Sequence, residues 1–126
     1  MKREVEFYRC NKCGNIVEVV KNGGGTLSCC GQNMEKLVAN TTDAAQEKHV
    51  PYVTRKDGKI YVQVGEVEHP MTEEHSIQWI ALVSDAGVER VDLSPNEKPV
   101  AVFEDRAENV EVYEYCNLHG LWKVEA

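Results

Sequence analysis

The cysteines and histidines of this 126-residue chain fall into two groups that occupy different parts of the sequence. The N-terminal group contains four of the five cysteines, namely Cys10, Cys13, Cys29 and Cys30. The second group contains the remaining cysteine and all four histidines, namely His49, His69, His75, Cys116 and His119. Because no cysteine or histidine lies outside these groups, the pattern predicts two metal centres. It also predicts that the first part of the chain folds around its metal.

Composition and charge narrow the class of protein. A chain of 126 residues suits one ordinary domain, or a modest domain joined to a small metal-bound one. The net charge of −7 argues against general nucleic-acid binding, which requires clustered Lys and Arg. We find neither a secretory signal nor an apolar run of the ~20 residues that cross a bilayer. We therefore expect a cytoplasmic protein with no membrane partner, in which clustered cysteines bind metal rather than form disulfides.

The sequence changes character near residue 38. The first 38 residues hold both halves of the cysteine group around one short apolar run at 16–20, which is too little apolar surface for an independent core. A polar stretch follows at 39–43, and we place the linker there. The predicted domains are therefore residues 1–38, stabilised by metal, and residues 39–126.

The second domain shows the alternating pattern of a mainly β protein. Apolar residues recur at every second position in several short segments, separated by turns such as Asp57-Gly58 and Ser94-Pro95-Asn96. Strands at this spacing predict an antiparallel β-sandwich. The segments are 60–64, 77–83, 88–93, 100–103 and 110–115. Residues 44–48 fit a short helical turn, and no long amphipathic helix is evident.

The N-terminal cysteines have the spacing of a tetrahedral metal site. Two residues separate Cys10 from Cys13, so the loop can turn both sulfurs toward one ion, and Gly14 permits a positive φ after it. The side chains of the adjacent Cys29 and Cys30 normally diverge, so we expect a distorted tetrahedron. Iron and zinc both accept four thiolates, so a structural zinc site remains an alternative, and a disulfide pair is a weaker one.

The second group offers four imidazoles and one thiolate, which is one ligand more than a tetrahedral ion needs. Zinc would take four protein ligands, or three and a water. Type-one copper prefers two histidines, a cysteine and a weak axial group. The set instead fits a square-pyramidal iron with one open position, and a thiolate opposite that position pushes electron density onto the metal. Such a site favours binding and reduction of a small oxygen species.

Glu47 and Lys48 directly precede the first histidine. A lysine beside an open metal position would attract a small anion to an otherwise acidic protein. A glutamate there could cover the vacant position or take part in proton delivery. The alternative is an exposed charge pair on a loop. We favour a functional role because the pair adjoins His49.

With these motifs the chain resembles the desulfoferrodoxins, the two-iron class of superoxide reductase. The resemblance covers nearly the whole length and is carried by five motifs. These are Cys10-x-x-Cys13 with Cys29-Cys30, Glu47-Lys48-His49-Val50-Pro51, His69-Pro70-Met71, His75 with Ile77-x-Trp79-Ile80, and Cys116-Asn117-x-His119-Gly120. It implies a desulforedoxin-like (rubredoxin-like) N-terminal domain, an immunoglobulin-like β-sandwich, a homodimer, and electron supply from a rubredoxin-like donor.

The resemblance also implies the site residues and their chemistry. The four N-terminal cysteines would bind one iron, and the four histidines with Cys116 as axial ligand would bind a second, catalytic iron. Glu47 would ligate the ferric iron at rest, and Lys48 would steer superoxide and orient the water that protonates the product. The implied reaction is one-electron reduction of superoxide to hydrogen peroxide, in defence against oxidative stress. A non-catalytic electron carrier and a zinc-stabilised interaction module remain the alternatives.

Overall fold

The structure, a computed structural model, describes residues 4–42, 44, 46–67 and 69–126; the side chain of Glu47 is outside this description. The described chain divides into two compact units, Glu4–Val38 and Ala39–Ala126. In the described ranges we find no helix with the length and apolar character needed to cross a bilayer. The assignment of a separate functional domain to each part of the chain stays a prediction.

The N-terminal unit consists of very short strands joined by metal-binding loops. Its five strands are β1 (Phe7–Arg9), β2 (Ile16–Glu18), β3 (Ser28–Cys29), β4 (Gln32–Asn33) and β5 (Glu35–Lys36). A three-stranded antiparallel sheet has the order β2-β1-β5, and β3 pairs with β4 as a separate hairpin. Phe7 and Cys10 are its buried apolar residues among those described. A core this small agrees with the expectation that a metal stabilises the unit.

The C-terminal unit is an antiparallel β-sandwich preceded by a single turn of helix. Its elements are α1 (Gln46–His49), β6 (Pro51–Lys56), β7 (Lys59–Val64), β8 (Ile77–Ser84), β9 (Gly87–Asp92), β10 (Val100–Glu104), β11 (Glu111–Cys116) and β12 (Gly120–Glu125). One sheet has the order β10-β7-β6 and the other β12-β11-β8-β9. The prediction of a mainly β protein with an immunoglobulin-like sandwich is confirmed. The predicted helical turn is present; it begins two residues later than predicted and ends one residue later, at His49.

The core lies between the two sheets and follows the alternation of the strands. In β7, Ile60, Val62 and Val64 are buried while Tyr61 between them is exposed, as expected for a strand with one face on the core. The opposite sheet contributes Ile77, Ile80 and Leu82 of β8 and Val112 of β11. Cys116 belongs to the same buried cluster, so the metal-ligating end of β11 is anchored in the core.

An irregularity in the pairing of β8 with β11 lies close to the ligands. The register shifts between Tyr115, which pairs with Trp79, and Cys116, which pairs with Ile77. A bulge of this kind turns side chains relative to the sheet. Here it lets Ile77 and Cys116 both join the inner cluster at the end of the strands.

The end of the sandwich away from the ligands is fastened by Arg55 of β6. Its guanidinium donates to Asp105 Oδ1 at 2.6 Å and to three main-chain oxygens. These belong to Ala107 at 2.9 Å, Glu108 at 2.8 Å and Ala126 at 3.1 Å. The five donors of a guanidinium suit such multiple bonding. We name this group the arginine clamp.

Candidate metal centres

The four N-terminal cysteines meet at the ends of two loops. Cys10 and Cys13 lie in the loop after β1, and Cys29 ends β3 with Cys30 in the turn that follows. Their four sulfurs lie within 4.8 Å of one another. Cys13 Sγ is 3.6 Å from Cys29 Sγ, which is 3.8 Å from Cys30 Sγ. A regular tetrahedron with metal–sulfur bonds of about 2.3 Å has edges of about 3.8 Å, so the set fits a four-thiolate ion.

The adjacent cysteines reach one point through an unusual backbone conformation. Cys30 has a φ of 53°, in the left-handed region that a residue with a Cβ rarely adopts, and Gly31 follows with a φ of 79°. This turn brings the side chain of Cys30 to the same side as that of Cys29. The two sulfur–sulfur distances given above are close to the edge of a regular tetrahedron. The unusual geometry therefore lies in the main-chain φ angles of this turn and not in these distances.

The protonation of these thiols also points to a cation. Main-chain N–H groups of Cys13 and Lys12 hydrogen-bond to the sulfur of Cys10 and lower its pKa to about 6. Hydrogen bonding with Cys13 and the other neighbouring sulfurs raises the pKa of Cys30 to about 12. The same kind of interaction, led by Cys10, raises the pKa of Cys29. Without a metal the sulfurs therefore share protons, and a bound cation would hold all four as thiolates.

The second group is assembled from three segments at one end of the sandwich. His49 ends α1, and His69 and His75 lie between β7 and β8. Cys116 ends β11, and His119 lies in the turn that follows it. Their five ligand atoms lie within 4.8 Å of one another. His49, His69 and Cys116 are each at most 2% exposed. The structure thus brings together all the histidines and the cysteine that the sequence assigned to this site.

The four imidazole rings lie at the corners of a square. Adjacent ring centroids are 4.6 to 5.0 Å apart and adjacent planes are 78 to 89° apart. Across one diagonal, His49 and His75 are 6.4 Å apart with planes inclined by 29°. The ratio of this diagonal distance to the side distances is close to the square root of two that a square requires. The order around it is His49, His69, His75, His119.

The ligand atoms have the separations that a central metal requires. His49 Nε2 is 3.1 Å from His69 Nε2 and 3.0 Å from His119 Nδ1. Neighbouring nitrogens in a square with metal–nitrogen bonds of about 2.1 Å would be about 3.0 Å apart. Cys116 Sγ lies 3.5 Å from His69 Nε2 and 3.9 Å from His119 Nδ1, as a fifth ligand. The sequence did not indicate that His119 would face the centre with Nδ1.

Burial makes this group unfavourable unless a cation occupies it. His75 Nε2 is one of three buried side-chain polar atoms in the described residues without a hydrogen-bond partner. Burial lowers the pKa of His69 to about 4, which keeps its imidazole neutral with a lone pair for a metal. Its Nδ1 lies 2.7 Å from the carbonyl oxygen of Pro70, which fixes the tautomer. Burial also raises the pKa of the Cys116 thiol, and N–H groups of Leu118 and His119 partly offset this.

Two positions that the sequence analysis did not assign a role support the ligands. Trp122 stacks on the His49 ring at 5.1 Å and 26°, and its indole N–H donates to the carbonyl of His119 at 3.0 Å. Gly120 has a φ of 81°, and a Cβ there would lie 3.1 Å from Thr42 Oγ1. The turn between Cys116 and its pairing partner Gly120 therefore favours glycine at this position.

Two family models together match almost the whole chain. The model described as "Desulfoferrodoxin, N-terminal domain" matches residues 2–37, and the model described as "Desulfoferrodoxin" matches residues 41–125. The chain belongs to the desulfoferrodoxin family. The two ligand sets confirm the predicted pair of iron sites, a four-cysteine site and a four-histidine, one-cysteine site.

Similar proteins support the same assignment over the full length. The chain is 50% identical over 125 residues to a desulfoferrodoxin of Syntrophotalea carbinolica, covering 99% of each chain. Its first part is 50% identical over 36 residues to a desulforedoxin of Megalodesulfovibrio gigas, covering 97% of that protein and 29% of this chain. Among solved structures, a superoxide reductase from Treponema pallidum is similar, with a TM-score of 0.78 and 34% identity. The match covers 97% of this chain and 99% of that one.

The charged pair and the residues flanking Cys116 have distinct surroundings. Lys48 is exposed on α1, and its charge contributes, after burial and His119, to a lowered pKa of His75. The predicted catalytic side chain of Glu47 lies outside the described residues.

Glu114 is fully buried without a hydrogen-bond partner, and burial raises its pKa well above the usual value. Tyr115 instead stacks on Trp79 at 5.9 Å, a packing role within the sheet.

Proposed function

We propose that this chain is a superoxide reductase whose histidine–cysteine centre reduces superoxide to hydrogen peroxide. One observation carries the proposal: four imidazoles form a square and a buried thiolate ligand lies beside it. The described residues supply five His or Cys ligands, so a six-coordinate ion keeps one position for substrate. The solved superoxide reductase from Treponema pallidum, similar over nearly the full length, supports this reading.

The reaction needs one electron and two protons for each superoxide, and it yields one hydrogen peroxide. The four histidines and Cys116 would hold a ferrous iron, which would supply that electron, and the Cys116 thiolate would favour its release by donating electron density. The other residues of the chain contribute mainly by positioning the metal ligands. Trp122 holds the His49 ring and the His119 main chain, while Pro70 holds the His69 tautomer. Burial of these ligands keeps bulk water away from the sulfur side of the site.

The charged pair would guide the substrate and its protons. The exposed ammonium of Lys48 is one residue from His49 and influences His75 electrostatically, so it can attract the superoxide anion. Its N–H groups can also orient a water that protonates the product. We assign Glu47 to the vacant position in the resting state, on the strength of its place in the motif alone.

The N-terminal unit would pass electrons toward the catalytic iron. Cys13 and Cys30 are exposed, which suits exchange with a small rubredoxin-like donor. We also propose a homodimer, supported by exposed apolar side chains in this unit such as Val20.

The proposed location is the cytoplasm. All five cysteines are free, which is consistent with a reducing compartment. Oxidative-stress defence is the role that follows.

The stoichiometry of the products tests the proposed reaction. Protein containing two irons is given superoxide and a reductant, and both hydrogen peroxide and dioxygen are measured. Reduction yields one peroxide per superoxide without matching dioxygen. Equal release of dioxygen and peroxide would identify dismutation instead. If azide and cyanide leave the ferric spectrum of the histidine centre unchanged, the site is closed and the chain is an electron carrier.

Replacing Lys48 by isoleucine should slow superoxide capture by about tenfold, because a local attracting charge is lost. The second-order rate should also depend less on ionic strength, since screening acts on that attraction. Pulse radiolysis at several salt concentrations measures both. Lys56→Ile is the matched control, because Lys56 lies at the far end of β6, which begins just after His49. Equal rates and salt dependence in both variants would refute steering by Lys48.

A further inference from the structure

We infer that Asn117 is a positioning residue that fixes His75 against the turn carrying Cys116 and His119. Asn117 is in the turn between β11 and β12 and is half-buried. Its side chain reaches across to the segment before β8, where His75 lies. The inference rests on the proposed function only in its consequence for turnover, since the placement itself concerns metal binding.

Three hydrogen bonds from Asn117 surround His75 in the sequence. Its Oδ1 accepts from the N–H of Ser76 at 3.0 Å, and its Nδ2 donates to the carbonyl of Glu74 at 3.0 Å. Its own N–H donates to the carbonyl of Ser76 at 3.2 Å. The residues on both sides of His75 are therefore held by one residue of the opposite ligand turn. A side-chain amide is suited to this because it carries a donor and an acceptor together.

His75 depends on this support more than the other histidines do. The regular pairing of β8 with β11 ends at Ile77, so no strand ladder reaches His75. Local bonds come from Thr72, whose Oγ1 accepts from the His75 N–H at 3.1 Å and whose N–H donates to the His75 carbonyl at 2.9 Å. These close the bend on itself and do not join it to the other ligands. Asn117 supplies that connection.

The bonds of Asn117 hold His75 at its corner of the imidazole square. His75 lies across the diagonal from His49, and its Nε2 is buried without a partner other than the prospective metal. If the bend moved, this nitrogen would leave the plane set by the other three. Groups that orient ligands typically change metal affinity by about 10–100-fold when removed. We expect an effect of that size for Asn117.

The test follows iron loss from the two centres in the same molecule. Asn117→Ala and Asn117→Leu both remove the two side-chain bonds and keep the main-chain bond to Ser76, and leucine keeps a similar side-chain volume. Ferric protein with two irons is exposed to a chelator, and the thiolate-to-iron band of the histidine centre is followed over time. Both variants should lose this band about 10–100-fold faster than the parent protein. The bands of the four-cysteine centre should decay at the parental rate, and the electron paramagnetic resonance signal of the histidine centre should shift.

Asn40→Gly provides the matched control. Asn40 makes a similar two-bond amide contact, donating to the Lys123 carbonyl at 3.2 Å and accepting from its N–H at 2.9 Å. Its φ of 64° makes glycine the suitable replacement. Iron loss within twofold of the parent in both Asn117 variants would overturn the inference, as would an equal acceleration in the control. Failure to reduce superoxide would overturn the proposed function and leave the iron-loss result standing.

Discussion

Replacing Cys116 by serine is expected to abolish the visible thiolate-to-iron absorption of the histidine centre. The band requires a sulfur ligand, and Cys116 supplies the only sulfur in this group of five. The side chain is fully buried at the core end of β11, so another thiol of the described chain cannot replace it without moving the strand. Peroxide formation should fall by at least about 100-fold, since even groups that only orient ligands contribute up to that factor. Absorption spectra and stopped-flow kinetics measure the two effects.

The matched control for this variant is Cys30→Ser in the other centre. It should alter the sulfur-only bands of the N-terminal unit and leave the histidine-centre band at its parental energy. A Cys116→Ser protein that kept its thiolate band would remove Cys116 from the ligand set. A protein that lost both sets of bands would show that the substitution disturbs the whole fold rather than one ligand.

Removal of the metal from the N-terminal unit is expected to unfold residues 4–38 while the sandwich remains folded. The strands of this unit are at most three residues long, and Phe7 and Cys10 are its only buried apolar residues among those described. A structural metal in a small domain contributes on the order of 10 kcal/mol of folding free energy, which such a core cannot replace. Main-chain amides of β1 and β2 should therefore lose their protection against hydrogen exchange.

The measurement is hydrogen exchange followed by mass spectrometry, with a chelator and a thiol reductant present. Peptides from β7 and β8 serve as the internal reference, because these strands contribute to the buried cluster of the sandwich. Cys10→Ser should reproduce the loss of protection without chelator. Retained protection of β1 and β2 in metal-free protein would show that the unit is stable by its side chains alone.

Five of the seven strands described in the sandwich were predicted from the sequence and two were not; the short strands of the N-terminal unit were not predicted either. Segments such as Lys59–Val64 bury every second residue, and this pattern is legible in the sequence. The missed strand Gly120–Glu125 buries Leu121 and Trp122 in succession and so shows no period of two. The other missed strand, Pro51–Lys56, begins at the last residue of a ligand motif. Its burial alternates, but Tyr52 is on the exposed face and Arg55 on the less exposed one, so its apolar residues show no period of two. In both cases tertiary packing decides the strand, and local pattern does not.

The ligand inventory was predictable, whereas its geometry was not. Residue type alone placed five ligands in one group, because every cysteine and histidine of the chain belongs to one of the two groups. The square arises when segments as far apart as His49 and His119, 70 residues in sequence, meet at one end of the sandwich. The roles of Asn117 and Trp122 depend on that meeting. In the sequence, Asn117 belonged to the motif Cys116-Asn117-x-His119-Gly120 without an assigned role, and Trp122 was marked only by its proximity to His119.

The arginine clamp bears on how iron could enter a folded protein. It fastens one end of the sandwich with hydrogen bonds that need no metal, while at the other end the histidine centre joins segments from both sheets. Without the metal, the ligand end would lack the bonds to iron that join these segments, while the arginine clamp would still fasten the other end. Local opening by thermal fluctuation would then be concentrated at the ligand end, so incoming iron could reach its ligands without global unfolding. Once bound, the iron would join the two sheets at that end and suppress this opening.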